Sequence, residues 1–228
     1  MMTNLFSTFD PATSMKMSLN WMSTLLMLFM MPMPLWVTHN RLTMMTQLVN
    51  KKLHEEFTTL MKSKSKGISL MMVSLLTFIF INNFMGLMPY VFTSSSHLVF
   101  SMTMALPLWM SIMLFGWINN TNHMFSHLVP LGTPSVLMPF MVLIETISNI
   151  IRPGSLAVRL TANMIAGHLL MSLLGNSTMT SDKLVIPLIF TVQLMLMLFE
   201  MSVSIIQAYV FSILSTLYTS EVIYEKTP

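Results

Sequence analysis

An all-α polytopic membrane protein is the fold class this sequence predicts, and three observations carry that reading. Of 228 residues, 54% are hydrophobic and only 8% are charged, where an ordinary soluble domain carries about a quarter charged residues. Mean hydropathy is +0.71. From Gly67 to Ile144 there is no Asp, Glu, Lys or Arg, so that stretch belongs where water is absent. The net charge of +3, from 11 basic and 8 acidic residues, is too small and too scattered for nucleic acid, whose binding needs clustered Lys and Arg. Cysteine is absent, which removes disulfides, thiolate metal sites and a Cys nucleophile. The 29 methionines stand where Leu, Ile and Val are usual, as adaptable fillers, and read as coding bias rather than as a copper site.

Taken in order, residues 1–20 form an N-terminal segment of what reads as a single membrane domain, 1–228. Asp10 and Pro11 and the lack of a basic start before a short apolar core argue against a secretory signal, so the chain is expected to start as it stands. Trp21 to Val37 is apolar and just long enough to cross about 30 Å of hydrocarbon, with Pro32 and Pro34 bending or ending its last turns. From Thr38 to Lys66 the character changes, with Arg41, Lys51, Lys52, Lys62, Lys64 and Lys66 against Glu55 and Glu56. Within it Leu42, Met45, Val49, Leu53, Phe57 and Met61 recur every three or four residues, drawing an apolar stripe on a surface helix expected over 42–62. The positive-inside rule makes this the cytoplasmic side or, in a mitochondrion, the matrix side, with the N-terminus opposite.

Ile68 to Phe92 and Leu98 to Ile118 are two further spans, and the link from Asn119 to Pro134, rich in Asn, His, Pro and Gly, is expected to be a loop. His123 and His127 share a four-residue spacing, but no third ligand is near and Pro130 follows, so no metal is expected. Val136 to Leu174 and Leu184 to Tyr218 would measure about 58 Å and about 52 Å as helices, too long to stand upright. The polar turn Asn176 to Lys183 joins them, predicting a long, steeply tilted hairpin. Five crossings then return the C-terminus to the basic side.

The hairpin carries what the middle of the chain lacks: Glu145, Arg152, Arg159, His168 and Glu200, with the amides Asn149, Asn163, Gln193 and Gln207. An ionisable group at membrane depth costs several kcal/mol on insertion scales and is a functional candidate by default. Glu145, Arg152 and Arg159 are seven apart and share a slowly drifting stripe, close to Asn149 and Asn163. Pro153 and Gly154 interrupt that stripe, and Arg152 is either a structural partner of Glu145 or a functional group. Arg159 differs, because within Ser155 to Leu174 no acid follows it and Ala157, Ala162, Ala166 and Gly167 surround it, side chains small enough to admit another helix. Gln193, Glu200 and Gln207 repeat the heptad on the second helix with Ser204 between, a stripe that lipid cannot satisfy. It is a wet proton path or interhelical glue. His168 faces away from Arg159 and lies within reach of Glu200 across the hairpin, either as an imidazole-carboxylate pair or as a lone buried histidine. A guanidinium does not lose its proton, so Arg159 demands a carboxylate that its own neighbourhood does not offer. That implies a partner subunit bringing the acid.

At this point the residues resemble a known family. The block GTPSVLMPFMVLIETISNIIRPGSLAVRLTANMIAGHLL, Gly132 to Leu170, closely resembles subunit a of the mitochondrial F-type ATP synthase, as do NNFMGLMPY (Asn82 to Tyr90), ALPLW (Ala105 to Trp109) and SIIQAYVFSILSTLYTSE (Ser204 to Glu221). The resemblance implies a stationary, non-catalytic proton-channel subunit of the F0 sector in the mitochondrial inner membrane, N-terminus toward the intermembrane space and C-terminus toward the matrix. It implies that Arg159 faces the essential carboxylate of the rotating c-ring, that Asn163 and Gln207 are its polar companions, and that Glu200 with His168 is the pair on the proton-access side, with Glu145 carried over as well. Gln193, Ser204, Asn149 and Arg152 are secondary candidates. The implied partners are the c-ring, the peripheral stalk and other membrane subunits, the lipid bilayer and protons, with no cofactor. Two rivals are a proton-coupled transporter, which usually has repeated halves and a midplane substrate site, and a non-transporting assembly subunit, which needs no heptad polar stripes. A bis-His haem protein is weaker, since His97 and His168 are isolated.

Overall fold

A computed structural model describes residues 5–14, 17–25, 29–32, 38, 40–61, 66–129, 134 and 136–222. Among these, six α-helices follow two short 3-10 turns, Leu5–Phe9 and Leu19–Leu25: α1 (Arg41–Met61), α2 (Lys66–Gly86), α3 (Leu98–Asn119), α4 (Thr121–Leu128), α5 (Met138–Thr180) and α6 (Ile186–Val222). A third 3-10 turn, Ser94–Ser96, lies between α2 and α3. Four of the described helices are long and apolar enough to cross a membrane: Gly67–Gly86, Leu98–Asn119, Met138–Met179 and Ile186–Val222. The expected first span, 21–37, lies partly outside the described residues; of its described part Trp21 to Leu25 winds as 3-10, and Phe29 and Met30 are α-helical.

The span expected to run to Phe92 stops at Gly86. Its 21 residues, about 31 Å of helix, already match the hydrocarbon layer. Beyond it Pro89 and Tyr90, whose φ of 67° is left-handed, turn the chain. The expected loop after α3 contains a helix, because Asn120 closes one and opens the next: its N–H donates to Gly116 O at 2.9 Å and its carbonyl accepts from Met124 N at 3.0 Å. The predicted polar turn also shrinks, since α5 runs on through Asn176 to Thr180. Pro153 and Gly154 do not interrupt α5. Proline removes one rung of the hydrogen-bond ladder, while Leu156, Ala157 and Leu160 just beyond it are locked into the core.

Two clusters set the helices against one another. Ile79 of α2, Ala105 of α3, Leu156, Ala157 and Leu160 of α5, and Ala208 and Phe211 of α6 form one junction of four helices. Small residues there let the backbones approach closely. Replacing Ile79, which is fully buried, by alanine should cost about 3 kcal/mol, read as a lower thermal inactivation midpoint of the purified complex; an unchanged midpoint would contradict a close-packed junction. The second cluster, Phe57, Met72, Val73, Leu76 and Leu108, docks α1. The stripe on that helix divides: Leu53 and Phe57 pack into the bundle, while Leu42 is 75% and Met45 71% exposed, placed for the interface of a bilayer. Tyr209 Oη donates to Glu56 Oε2 at 3.4 Å, tying α1 to α6.

At 43 and 37 residues, α5 and α6 measure about 65 Å and about 56 Å, roughly twice a hydrocarbon layer, so neither stands upright across it. Asn120 Nδ2 reaches Val222 O at 3.5 Å, which brings the end of α3 to the end of α6. The opposite end is closed by the serine turn, where Thr93 Oγ1 and Ser96 Oγ share a hydrogen bond at 3.0 Å.

Candidate proton-translocation site

Arg159 lies on α5 with Ala157 and Leu160 turned into the core and its own side chain exposed. The small-residue surroundings divide: Ala157 and Gly167 face inward, whereas Ala162 and Ala166 are exposed, at three and seven residues from Arg159 and so on its face. Arg159, Leu156, Leu160, Gln207, Val210 and Phe211 line one narrow crevice between α5 and α6. Among the described residues the ion pairs are those of Arg152, and Arg159 enters none. The hairpin therefore brings Arg159 and Gln207 together and offers the guanidinium no carboxylate among the described residues.

Glu200 of α6 is only 6% exposed. Its carboxyl occupies the space beside Gly167 so closely that a Cβ there would collide with Glu200 Cδ and both its oxygens. Glycine is thus what admits an acid between the two helices. The expected imidazole-carboxylate pair is not closed: His168 Nε2 is buried without a hydrogen-bond partner among the described residues. The Phe9 ring instead meets the imidazole edge to face, centroids 6.3 Å apart. His168 and Glu200 are still neighbours, since Gly167 adjoins one in sequence and the other in space. Ser204, one turn beyond Glu200, is buried and spends its hydroxyl on Met201 O at 2.7 Å. Asn163 and Gln193 are half-buried.

Arg152 has the opposite situation from Arg159. Its Nη2 donates to Glu145 Oε1 at 3.4 Å and its Nη1 to Glu221 Oε2 at 2.9 Å, with the guanidinium carbon 5.1 Å from the Tyr218 ring centre, within cation-π range. Glu145, Asn149, Arg152, Glu221, His127 and Trp109 are among the lining of an open cavity of about 440 Å³ between the start of α5 and the end of α6. Glu221 and Gly167 are the site residues whose part the sequence did not show, Gly167 having been read only as one of the small residues around Arg159. His97 is a third: its Nε2 is buried and unpartnered among the described residues, its ring lies 5.2 Å from those of Trp21 and Phe92, and only its isolation had marked it.

A multi-helix membrane bundle that turns an unneutralised guanidinium outward on a small-residue face, and buries a carboxyl between its two longest helices, belongs to the class of ion-conducting membrane subunits. The family model described as ATP synthase A chain matches residues 15–220. ATP synthase subunit a of Anopheles gambiae is 59% identical over 225 residues, covering 97% of this chain and 100% of the relative. That of Locusta migratoria is 57% identical and that of Drosophila melanogaster 55%, each with the same coverage. The chain belongs to the ATP synthase subunit a family, the F0 proton-channel subunit, and works as a multi-pass membrane component alongside other ATP synthase subunits.

Proposed function

We propose that this chain is the stationary, non-catalytic proton path of a mitochondrial ATP synthase, offering two offset half-channels to the carboxylates of a c-ring, with Arg159 between them. It sits in the inner membrane with the N-terminus toward the intermembrane space and the C-terminus toward the matrix, held by the peripheral stalk and neighbouring membrane subunits. The observation that carries this is Arg159, exposed on α5 and outside every ion pair among the described residues. A cation that cannot deprotonate needs an anion at membrane depth, and a passing rotor carboxylate supplies it.

The inlet runs past His168, Glu200, Asn163, Gln193 and Ser204 at the end of the hairpin near the serine turn. A proton arriving there neutralises a rotor carboxyl, which then turns into lipid. On return, the fixed charge of Arg159, with Gln207 beside it, favours loss of the proton by Coulomb attraction in a low-dielectric site. The outlet runs through the cavity lined by Glu145 and Asn149 at the basic end, with Arg152 in its wall. Arg159 also bars a direct leak, since an immobile positive charge repels hydronium. Each proton brings about 2.3 kcal/mol per 100 mV, enough to bias rotation, with several needed per ATP.

Two tests address the path. The chain has no cysteine, so Ala162→Cys provides a unique handle beside Arg159. Oxidative crosslinking to a cysteine placed next to the c-ring carboxylate should link the two subunits, and a crosslink confined to other subunits would refute the rotor-facing assignment. Glu200→Gln and His168→Leu should each slow proton flux in reconstituted enzyme by about a hundredfold, the lower end for a lost proton-transfer group, without loss of assembly. Unchanged flux in both would remove them from the path.

A further inference from the structure

We infer that Glu221 is a positioning residue for proton exit: by serving as the standing counter-ion of Arg152, it frees Glu145, on the other nitrogen of the same guanidinium, to pick up and release a proton. The inference rests on the reading of the basic-end cavity as the outlet.

The geometry is a three-charge cluster bridging two helices. Arg152 reaches Glu221 at 2.9 Å through Nη1 and Glu145 at 3.4 Å through Nη2, so separate nitrogens serve the two acids at the same time. With both carboxylates ionised the cluster carries one net negative charge, and with one proton added it carries none. It therefore has room for one proton without leaving the guanidinium uncompensated. That condition matters because the Arg152 side chain is half-buried, 26% exposed, and a cation at membrane depth that loses its sole anion is left uncompensated at a cost that water in the cavity only partly screens. If Glu145 were that sole anion, protonating it would be opposed by the whole pairing energy. With Glu221 present it is not.

Which acid gives way follows from distance and place. Glu221 has the shorter contact and stands one residue from the end of α6. Glu145 has the longer contact and is seven residues before Arg152 on α5, next to Thr146 and Asn149 on the cavity wall. The other groups facing the cluster do not compete for the role. Helix α3 contributes Trp109 and Trp117, which do not titrate here, α4 contributes His127 to the cavity lining without an ion pair to the cluster, and α6 adds Tyr218, whose ring lies against the guanidinium. In the exit step the Glu145 carboxylate accepts a proton released from the rotor side, becoming a carboxylic acid, and then returns it to water in the cavity. The O–H bond that forms is the one that breaks, and Arg152 keeps Glu221 throughout.

The test uses the intact synthase in liposomes and reads proton flux toward the matrix side per assembled complex. Glu221→Gln is nearly isosteric and still accepts a hydrogen bond, so it removes charge rather than shape. It should slow flux about tenfold, as should Glu145→Gln. The double variant Arg152→Gln/Glu221→Gln should recover to within about threefold of the parent enzyme, because a Glu145 with no cation to neutralise is free again. Normal flux in Glu221→Gln beside slow flux in Glu145→Gln would overturn the inference while leaving the outlet in place. Normal flux in Glu145→Gln would remove the outlet reading and the inference with it. A double variant slower than Glu221→Gln alone would make the cluster a mere brace and overturn the inference.

Discussion

Arg159→Ala should abolish ATP-driven proton pumping by the reconstituted complex while leaving ATP hydrolysis by its soluble sector intact. The expectation follows from what the structure withholds from this residue. Arg152 satisfies its guanidinium with two acids of its own chain, whereas Arg159 is presented beside exposed Ala162 and Ala166 with no acid of this chain among the described residues. On the proposed path, alanine removes the fixed charge that favours rotor deprotonation and bars hydronium from passing straight through. Coupled pumping should fall below about a hundredth of its normal rate, the scale of losing a single electrostatic or proton-transfer group. Passive proton leak is the second readout and should not fall with it. Coupled pumping at a normal rate in this variant would be incompatible with the assignment.

Gly167→Ala should produce the next largest loss, and for a different physical reason. The added methyl would occupy the position of the Glu200 carboxyl. That carboxyl is the far end of a flexible side chain, so the helices need not separate; the acid is displaced instead. Flux should drop at least about a hundredfold while the amount of subunit in the purified complex stays near normal. Gly154→Ala and Gly175→Ala are the matched controls, because a Cβ at either meets nothing within 4 Å. Equal flux in all three variants would show that the placement of Glu200 against α5 is irrelevant to transport.

The span pattern was legible in the sequence because length and apolarity act locally. The uncharged stretch from Gly67 to Ile144 held α2 and α3, and the long apolar runs on either side of Asn176 to Lys183 held the hairpin. The seven-residue spacing of Glu145 and Arg152 was enough to anticipate their contact, since period alone sets which residues share a helix face. Three features were not legible, and each depends on distance along the chain or on backbone detail. Glu221 meets Arg152 across 69 residues, a contact created by the fold of the hairpin and not by any spacing. Gly167 looked like one more small residue in an alanine-rich run, and only the carboxyl beside it explains why it carries no side chain. The α4 helix was hidden because Asn119 and Asn120 read as a turn, whereas Asn120 belongs to the hydrogen-bond pattern of both flanking helices. The break expected at Pro153 failed for the converse reason. Tertiary packing of the residues just beyond it outweighed a local preference.

The seating of Phe9 on His168 and of Trp21 near His97 bears on how the subunit is made. Translation delivers those two aromatics first and their histidines later, His168 only after α5 has been threaded into the bilayer. Phe9 must therefore wait for α5, so a subunit stalled before α5 is synthesised would leave the Leu5–Phe9 turn without its contact on His168, whereas Trp21 would already have the ring of His97.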